Sequence, residues 1–424
     1  MKIVPRLDAR RAELKRLATR SREVVVLAAL VGAATGALVA LFETIVVNGV
    51  QDHYESVPVW CRAFMPGLGL ASAWLILRTV GRSTSPATSD EYLHAFHDRH
   101  HHLDARAFAA RAMAALTTVS SGAAMGLEGP SLYFGSFIGS SLQRRLPGVF
   151  RDSDRRTLLV AGAAAGVAAI FKAPATGVVF ALEVPYRDDL ARRMLLPALV
   201  AAASGYLVFV AVHGTTPLFD VGGNPSFSFA DLAGAAALGV AAGLGARVFA
   251  KMIRHGKALA QRPAALRLPL VAVSLAALYA LGRWATGEDI TLTGGYNVVR
   301  WAQDPAHGAR LLALVLVLRC LVTSIALTGG GVGGVFIPLV AAGALMGRIV
   351  DGWIGGAEPT LFTVIGVTAF LGAGYRVPLA AVMFVAETTG RPGFIVPALI
   401  AAVASELVMG TASVTAYQRD PGAR

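Results

Sequence analysis

Apolar residues fall along this chain in long runs separated by short polar and basic stretches. The runs cover Glu23 to Val47, Trp60 to Val80, Leu195 to Val212, Leu232 to Ala250 and Leu311 to Leu327. Roughly 18 or more apolar residues take an α-helix across the hydrocarbon core of a bilayer, so each run predicts a spanning helix. Other apolar segments are shorter or broken by Gly and Pro. The pattern predicts an all-α polytopic membrane protein.

An internal repeat organises these segments. FKAPATGVVFALE (Phe171 to Glu183) matches YRVPLAAVMFVAE (Tyr375 to Glu387) at one constant offset. Lys172 meets Arg376, Pro174 meets Pro378, Phe180 meets Phe384 and Glu183 meets Glu387. A second block sets SGAAMGLEGPSLYFGSFIG against GGGVGGVFIPLVAAGALMG. There Gly122 meets Gly330, Gly126 meets Gly334, Pro130 meets Pro338, and upstream Arg111 meets Arg319. Two blocks in the same order indicate a duplicated half, as in transporters whose broken helices meet near the membrane midplane. The expected division is an amphipathic cytoplasmic N-terminal helix over 1–22, transmembrane repeats over 23–212 and 213–415, and a short tail over 416–424. The repeat alone leaves parallel or inverted halves open.

Composition sharpens this picture. Of the 424 residues 55% are hydrophobic and 15% charged, against about 25% charged in soluble globular chains. The formal net charge of +12 does not point to nucleic acid. Its basic residues cluster at Lys2 to Arg22, Arg144 to Arg156, Arg187 to Arg193 and Arg247 to Arg267. Short positive segments beside apolar helices mark the cytoplasmic face and suit anionic lipid. Cys61 and Cys320 lie far apart and carry no redox information.

The chemistry lies in the broken segments. In TGGGVGGVFIP (Thr328 to Pro338) glycines crowd together at membrane depth. Irregular backbone survives there only where protein or a water-filled cavity satisfies it. Pro suits a first helical turn, so Pro130 and Pro338 are expected to open helices. Helix N-termini offer unpaired N–H groups and the positive dipole end, which favour an anion. Two repeats then aim two N-termini at one point, with partial charges that bind a halide weakly enough for turnover. The bland alternative is a close-packing surface of small residues. No Lys-Ser/Thr follows the glycines as a phosphate loop requires. Glu128 stands alone in MGLEGP, and an ionisable group inside the bilayer is functional by default; a hydrogen-bonded structural carboxylate is its bland reading.

GLEGP, GGVFIP and the paired AP/VP…E segments resemble the CLC family of chloride channels and chloride/proton antiporters, over roughly 23–415. The resemblance implies a prokaryotic-type member without C-terminal regulatory domains, in the bacterial inner membrane with both termini cytoplasmic. It also implies two inverted-topology repeats of tilted, broken helices, a homodimer with one pore per subunit, and a small anion such as chloride as substrate. Glu128 stands where the family carries its gating, proton-accepting glutamate. The G-x-F-x-P motif falls on Gly334, Phe336 and Pro338. The anion-binding set implied is Ser83, Ser85, Leu127, Gly129, Val335, Phe336, Ile337 and Thr415.

Four departures temper the match. RSTSP (Arg82 to Pro86) lacks the glycines of the family's serine loop, so Ser83, Thr84 or Ser85 could face the anion. Leu127 replaces a basic residue. Thr415 stands where a pore tyrosine is usual, which widens the inner constriction unless Tyr417 fills it. Val184 occupies the internal proton-glutamate position beside Glu183. Glu183 reads mainly as a structural carboxylate shared with Glu387, and alternatively as a point of proton access. Glu43, in the first span, reads as a packed structural carboxylate.

His94, His97, His100, His101 and His102 form a run whose spacing suits a zinc or pH sensor, or simply a solvated connection. No H-E-x-x-H or G-x-S-x-G is present, so an enzyme is the remote alternative, and no cofactor or metal is expected. The reading leans to a passive or weakly proton-coupled chloride pathway, with chloride/proton exchange as the alternative.

Overall fold

The computed structural model describes residues 4–146, 156–219, 227–354 and 359–420, with the side chains of the first 21 residues left aside. Among these residues the fold is all-helical. The first half holds α1 (Val4–Glu43), α2 (Val59–Thr79), α3 (Ser89–His97), α4 (Ala105–Ser120), α5 (Glu128–Arg145), α6 (Thr157–Phe171), α7 (Pro174–Glu183) and α8 (Leu195–His213). The second holds α9 (Phe229–Leu259), α10 (Ala264–Thr286), α11 (Tyr296–Ala302), α12 (Ala309–Thr328), α13 (Phe336–Ile354), α14 (Pro359–Tyr375), α15 (Pro378–Thr389) and α16 (Ile395–Met409).

Eight described helical segments are long and apolar enough to cross a membrane. They include the five runs named above and add Ala264–Thr286, Phe336–Trp353 and Pro392–Met409. The helix that begins at Val4 continues to Glu43 without a break, so the N-terminal segment and the first span are one element. The amphipathic character expected of 1–22 lies outside the described side chains, as does much of the basic stretch around residue 150.

The halves pack alike. α5 lies on α6 and α13 on α14; α1 lies on α8 and α9 on α16; α2 lies on α4 and α10 on α12. Both halves also turn at matching points. Gly122 and Gly330 have φ of 81° and 77°, and Lys172 and Arg376 have φ of 52° and 58°. Left-handed backbone costs an L-residue on the order of 1 kcal/mol, so a basic residue in that state at both positions reflects one geometry used twice.

The core is alanine and glycine at helix crossings and aromatic at the centre. Helices α6 and α14 are buried along almost their whole length. Close approach requires glycine at two crossings in particular. A Cβ at Gly135 would strike the Gly162 carbonyl, and one at Gly343 the Gly366 carbonyl. Gly135 and Gly343 are equivalent positions on α5 and α13, and Gly162 and Gly366 are the matching positions on α6 and α14. Small residues let membrane helices approach until backbones touch.

Candidate functional site

Helices α5 and α13 begin at Glu128 and Phe336, which occupy the same place in the two repeats. Just ahead of them Gly126 and Gly334 pair in an antiparallel bridge. The Gly126 N–H donates to the Gly334 carbonyl at 2.9 Å, and the Gly334 N–H returns the bond at 2.8 Å. Equivalent residues that bond reciprocally and antiparallel are related by a local two-fold, which the halves therefore share at this point.

Across that bridge, Glu128 reaches from α5 to the first turn of α13. Its Oε1 accepts from the Phe336 N–H at 2.6 Å and from the Ile337 N–H at 3.4 Å. Oε2 has no hydrogen-bond partner among the described residues. The carboxylate is buried and lies on unpaired donors at the positive end of a helix dipole, where an anion is favoured. A Cβ at either Gly126 or Gly334 would collide with this carboxyl group. Gly129 closes the other side, since a Cβ there would meet Thr88 Oγ1 at 2.7 Å and Gly334 Cα at 2.9 Å.

Next to the cradle lies a cavity of about 240 Å³. Residues 85–91, Lys257, Gly333, Gly334, Val335, Tyr375 and 414–417 line it. Arg111 holds the serine loop in place, donating to the Ser85 carbonyl at 3.0 Å and its hydroxyl at 3.3 Å. Its counterpart Arg319 donates to the carbonyls of Leu292, Thr293 and Gly294 at 3.0, 3.0 and 2.5 Å. The one lysine on the wall does not present a free cation: Lys257 Nζ is 2.7 Å from Asp90. Asp90 also accepts from the Ala416 N–H at 3.0 Å, pinning the C-terminal segment to the cavity.

A family model described as voltage gated chloride channel matches residues 68–410. The chain belongs to that family. It is 27% identical over 370 residues to a ClcB-like chloride channel protein of Ralstonia nicotianae, covering 84% of each chain. It is 26% identical over 431 residues to the H(+)/Cl(-) exchange transporter ClcA of Salmonella paratyphi B, covering 94% of this chain and 88% of that one. Among solved structures, a slow cyanobacterial Cl-/H+ antiporter superposes with a TM-score of 0.79 at 22% identity, over 91% of this chain and 94% of that one. A CLC-type fluoride/proton antiporter gives a TM-score of 0.79 at 19% identity, over 94% and 98%. The fold is thus the CLC fold of inverted repeats in a multi-pass membrane protein.

Within this chain, the sequence-expected residues separate. Glu128, Phe336 and Ile337 come together in the cradle, and Val335, Ser85 and Thr415 line the adjoining cavity. Ser83 is exposed and Ser83 and Thr84 lie off the cavity wall. Leu127 is buried as the residue that precedes α5, where its carbonyl accepts from the Ser131 N–H at 2.9 Å. Val184 is buried away from the cavity, its carbonyl taken by Gln418 Nε2 at 3.0 Å.

Glu183 has a definite structural partner. Its two oxygens accept from the Leu379 and Ala380 N–H groups at 3.1 and 2.8 Å. Glu387 does the same in reverse, accepting from Ala175 and Thr176 N–H at 2.9 and 2.6 Å. Each half therefore caps the other's proline-opened helix, α15 or α7.

Tyr417 lines the cavity, is 45% exposed and stacks on His94 with ring centroids 4.8 Å apart. Sequence reading missed Tyr375. It is buried at the cavity wall, its hydroxyl facing the Val335 N–H and Ser89. The signal was its offset from Phe171, since only the second half carries a hydroxyl at that place. No set of three or more His, Cys, Asp or Glu gathers as a metal site among the described residues.

Proposed function

We propose that this protein is a chloride/proton exchanger in which Glu128 serves as both gate and proton carrier. One observation carries the reading: the Glu128 carboxylate lies on the Phe336 and Ile337 amides. A carboxylate there occupies the place of an anion. Protonation removes its charge and with it the attraction to those donors, so proton binding and anion binding exclude one another. That exclusion is the minimum needed for coupled counter-transport.

The sequence leaned toward a passive pathway because Val184 offers no internal carboxylate. The relatives favour exchange instead: ClcA of Salmonella paratyphi B is named an exchange transporter, and both solved structures above are antiporters. Chloride is the substrate proposed. Ser85, Val335, Phe336, Ile337 and Thr415 are the proposed anion contacts, and the Tyr375 hydroxyl joins them in the place expected of Tyr417. Leu127 and Gly129 shape the cradle. Glu183 acts through its cap on α15.

The reading includes a homodimer in the bacterial inner membrane with both termini cytoplasmic. α7 and α15 pack on one another, and the flanking α8 and α16 expose Leu199, Leu207, Val403 and Leu407, a face suited to a second copy.

The test uses purified protein in chloride-loaded liposomes, with chloride efflux and external pH recorded together. Exchange requires uphill proton uptake driven by chloride efflux and abolished in Glu128→Ala. Chloride efflux with no proton movement would sink the exchanger reading and restore the passive one.

A further inference from the structure

The histidine run, unused by the anion path, stands at the rim of the cavity. His94 and His101 stack with ring centroids 3.9 Å apart, and Tyr417 stacks on His94. His101 Nε2 lies 3.0 Å from Glu91 Oε2, and Glu91 Oε1 lies 3.0 Å from Arg111. Glu91 and Tyr417 both line the cavity, whose wall also includes Gly334 and Val335, the residues just ahead of the Glu128 cradle. A cavity of about 240 Å³ has room for several waters, each taking about 30 Å³ of liquid volume. The cavity therefore runs from Glu91, the partner of His101, to Gly334 and Val335 at the edge of the cradle, whereas position 184 is apolar and its carbonyl is taken.

The geometry points to a proton-loading site: His101 takes protons from solution and, with Glu91, feeds them through the anion cavity to Glu128. This rests on the exchanger reading. Imidazole is the side chain that changes charge between about pH 5 and 8. A solvent proton binds the ring, Nε2 releases one to Glu91 Oε2, and water carries it from Glu91 to the Glu128 carboxylate. The ring regains its first tautomer by exchange with solvent. Arg111, on the far oxygen of Glu91, keeps the proton from being held there. Anion and proton thus approach Glu128 through one mouth.

The charged groups around the pair are consistent with this role. His94 and Glu91 face His101 from α3. Asp98, just past that helix, lies 3.7 Å from His94; its carboxyl is lowered first by the His100 N–H and then by the nearby histidines. Arg111 faces from α4 and Tyr417 from the C-terminal segment. Lys257 of α9 is matched by Asp90. His97 takes no part: Nε2 lies 2.7 Å from the Pro185 carbonyl, and burial lowers it to about 4, so it stays neutral at working pH.

The experiment compares wild-type protein with His101→Ala in liposomes, reading proton uptake per chloride across pH 5 to 8, with and without free imidazole in the bath. Removing a positioned proton carrier costs roughly 10²-fold or more, so proton uptake is expected to fall at least that far near neutral pH and to recover with imidazole. Chloride flux in the Glu128→Ala background should not change when His101→Ala is added, which certifies an intact fold. Unchanged coupling and pH profile in His101→Ala would overturn the proposal while leaving exchange standing. A wild type that moves no protons removes the exchanger reading itself, and the proposal with it.

Discussion

The two halves build nearly the same object from different side chains at one decisive point. At the start of α5 the first half places Glu128; at the start of α13 the second half places Phe336. The carboxylate of the one rests on the amide of the other, at 2.6 Å. Elsewhere the halves trade like for like: glycine pairs with glycine in the bridge, and Glu183 and Glu387 exchange caps. Symmetry therefore supplies the scaffold, and a single broken position supplies an anion mimic opposite an anion cradle. Two phenylalanines at that position would leave an ungated cradle, and two glutamates would set like charges against one another.

Breaking the unequal pair should have the largest effect. Glu128→Ala is expected to abolish proton movement and leave chloride flux that no longer varies with pH, measured by paired chloride and pH recording in liposomes. Flux lost altogether would instead assign Glu128 a structural role.

Gly334→Ala comes next. The new methyl occupies the space of the Glu128 carboxyl, so the gate cannot seat, and the pH dependence of chloride efflux should flatten. Gly126→Ala should act the same way, because its Cβ meets the same carboxyl group.

The equal pair gives a different test. Hydrogen bonds to a charged group contribute about 1.5–3 kcal/mol. Glu183→Gln and Glu387→Gln should each lower stability in detergent by about that amount and by similar values, read from thermal unfolding. A Glu183→Gln protein of unchanged stability but lost coupling would make Glu183 a proton carrier and end the equivalence.

A smaller effect is expected at Tyr375, the hydroxyl without a counterpart at Phe171. Losing one neutral hydrogen bond costs about 0.5–1.5 kcal/mol, so Tyr375→Phe should weaken chloride binding several-fold in calorimetry while the ring packing on Phe180 and Phe336 keeps the fold intact. Thr415→Ala should do less still, since Thr415 bonds its neighbour Ser413 at 2.9 Å.

Much of this was legible in the chain. Long apolar runs announce the spanning helices because hydrocarbon leaves a helix few polar options, and the constant offset announces the repeat. Glu128 and Phe336 stood out because glycine and proline mark helix starts. The inverted arrangement was not legible from the offset alone, since a parallel duplication has the same offset; the likeness to solved CLC structures supplies it. The partners of Glu183 were hidden for the same reason, being amides nearly half the chain away. Tyr375 was overlooked because an aromatic before a basic residue reads as packing, and its hydroxyl acquires meaning only beside Val335 and Ser89. The histidine run carried no partner in sequence, and Glu91 and Tyr417 meet it only through the fold.

The most direct measurement is a crystallographic one: anomalous diffraction from bromide-soaked crystals of wild-type protein and Glu128→Gln. The expected result is bromide on the Phe336 and Ile337 amides in the variant and none there in the wild type, whose carboxylate holds the place. Bromide on those amides with the Glu128 carboxylate still seated, or none in either protein, would contradict the competition on which the gate depends.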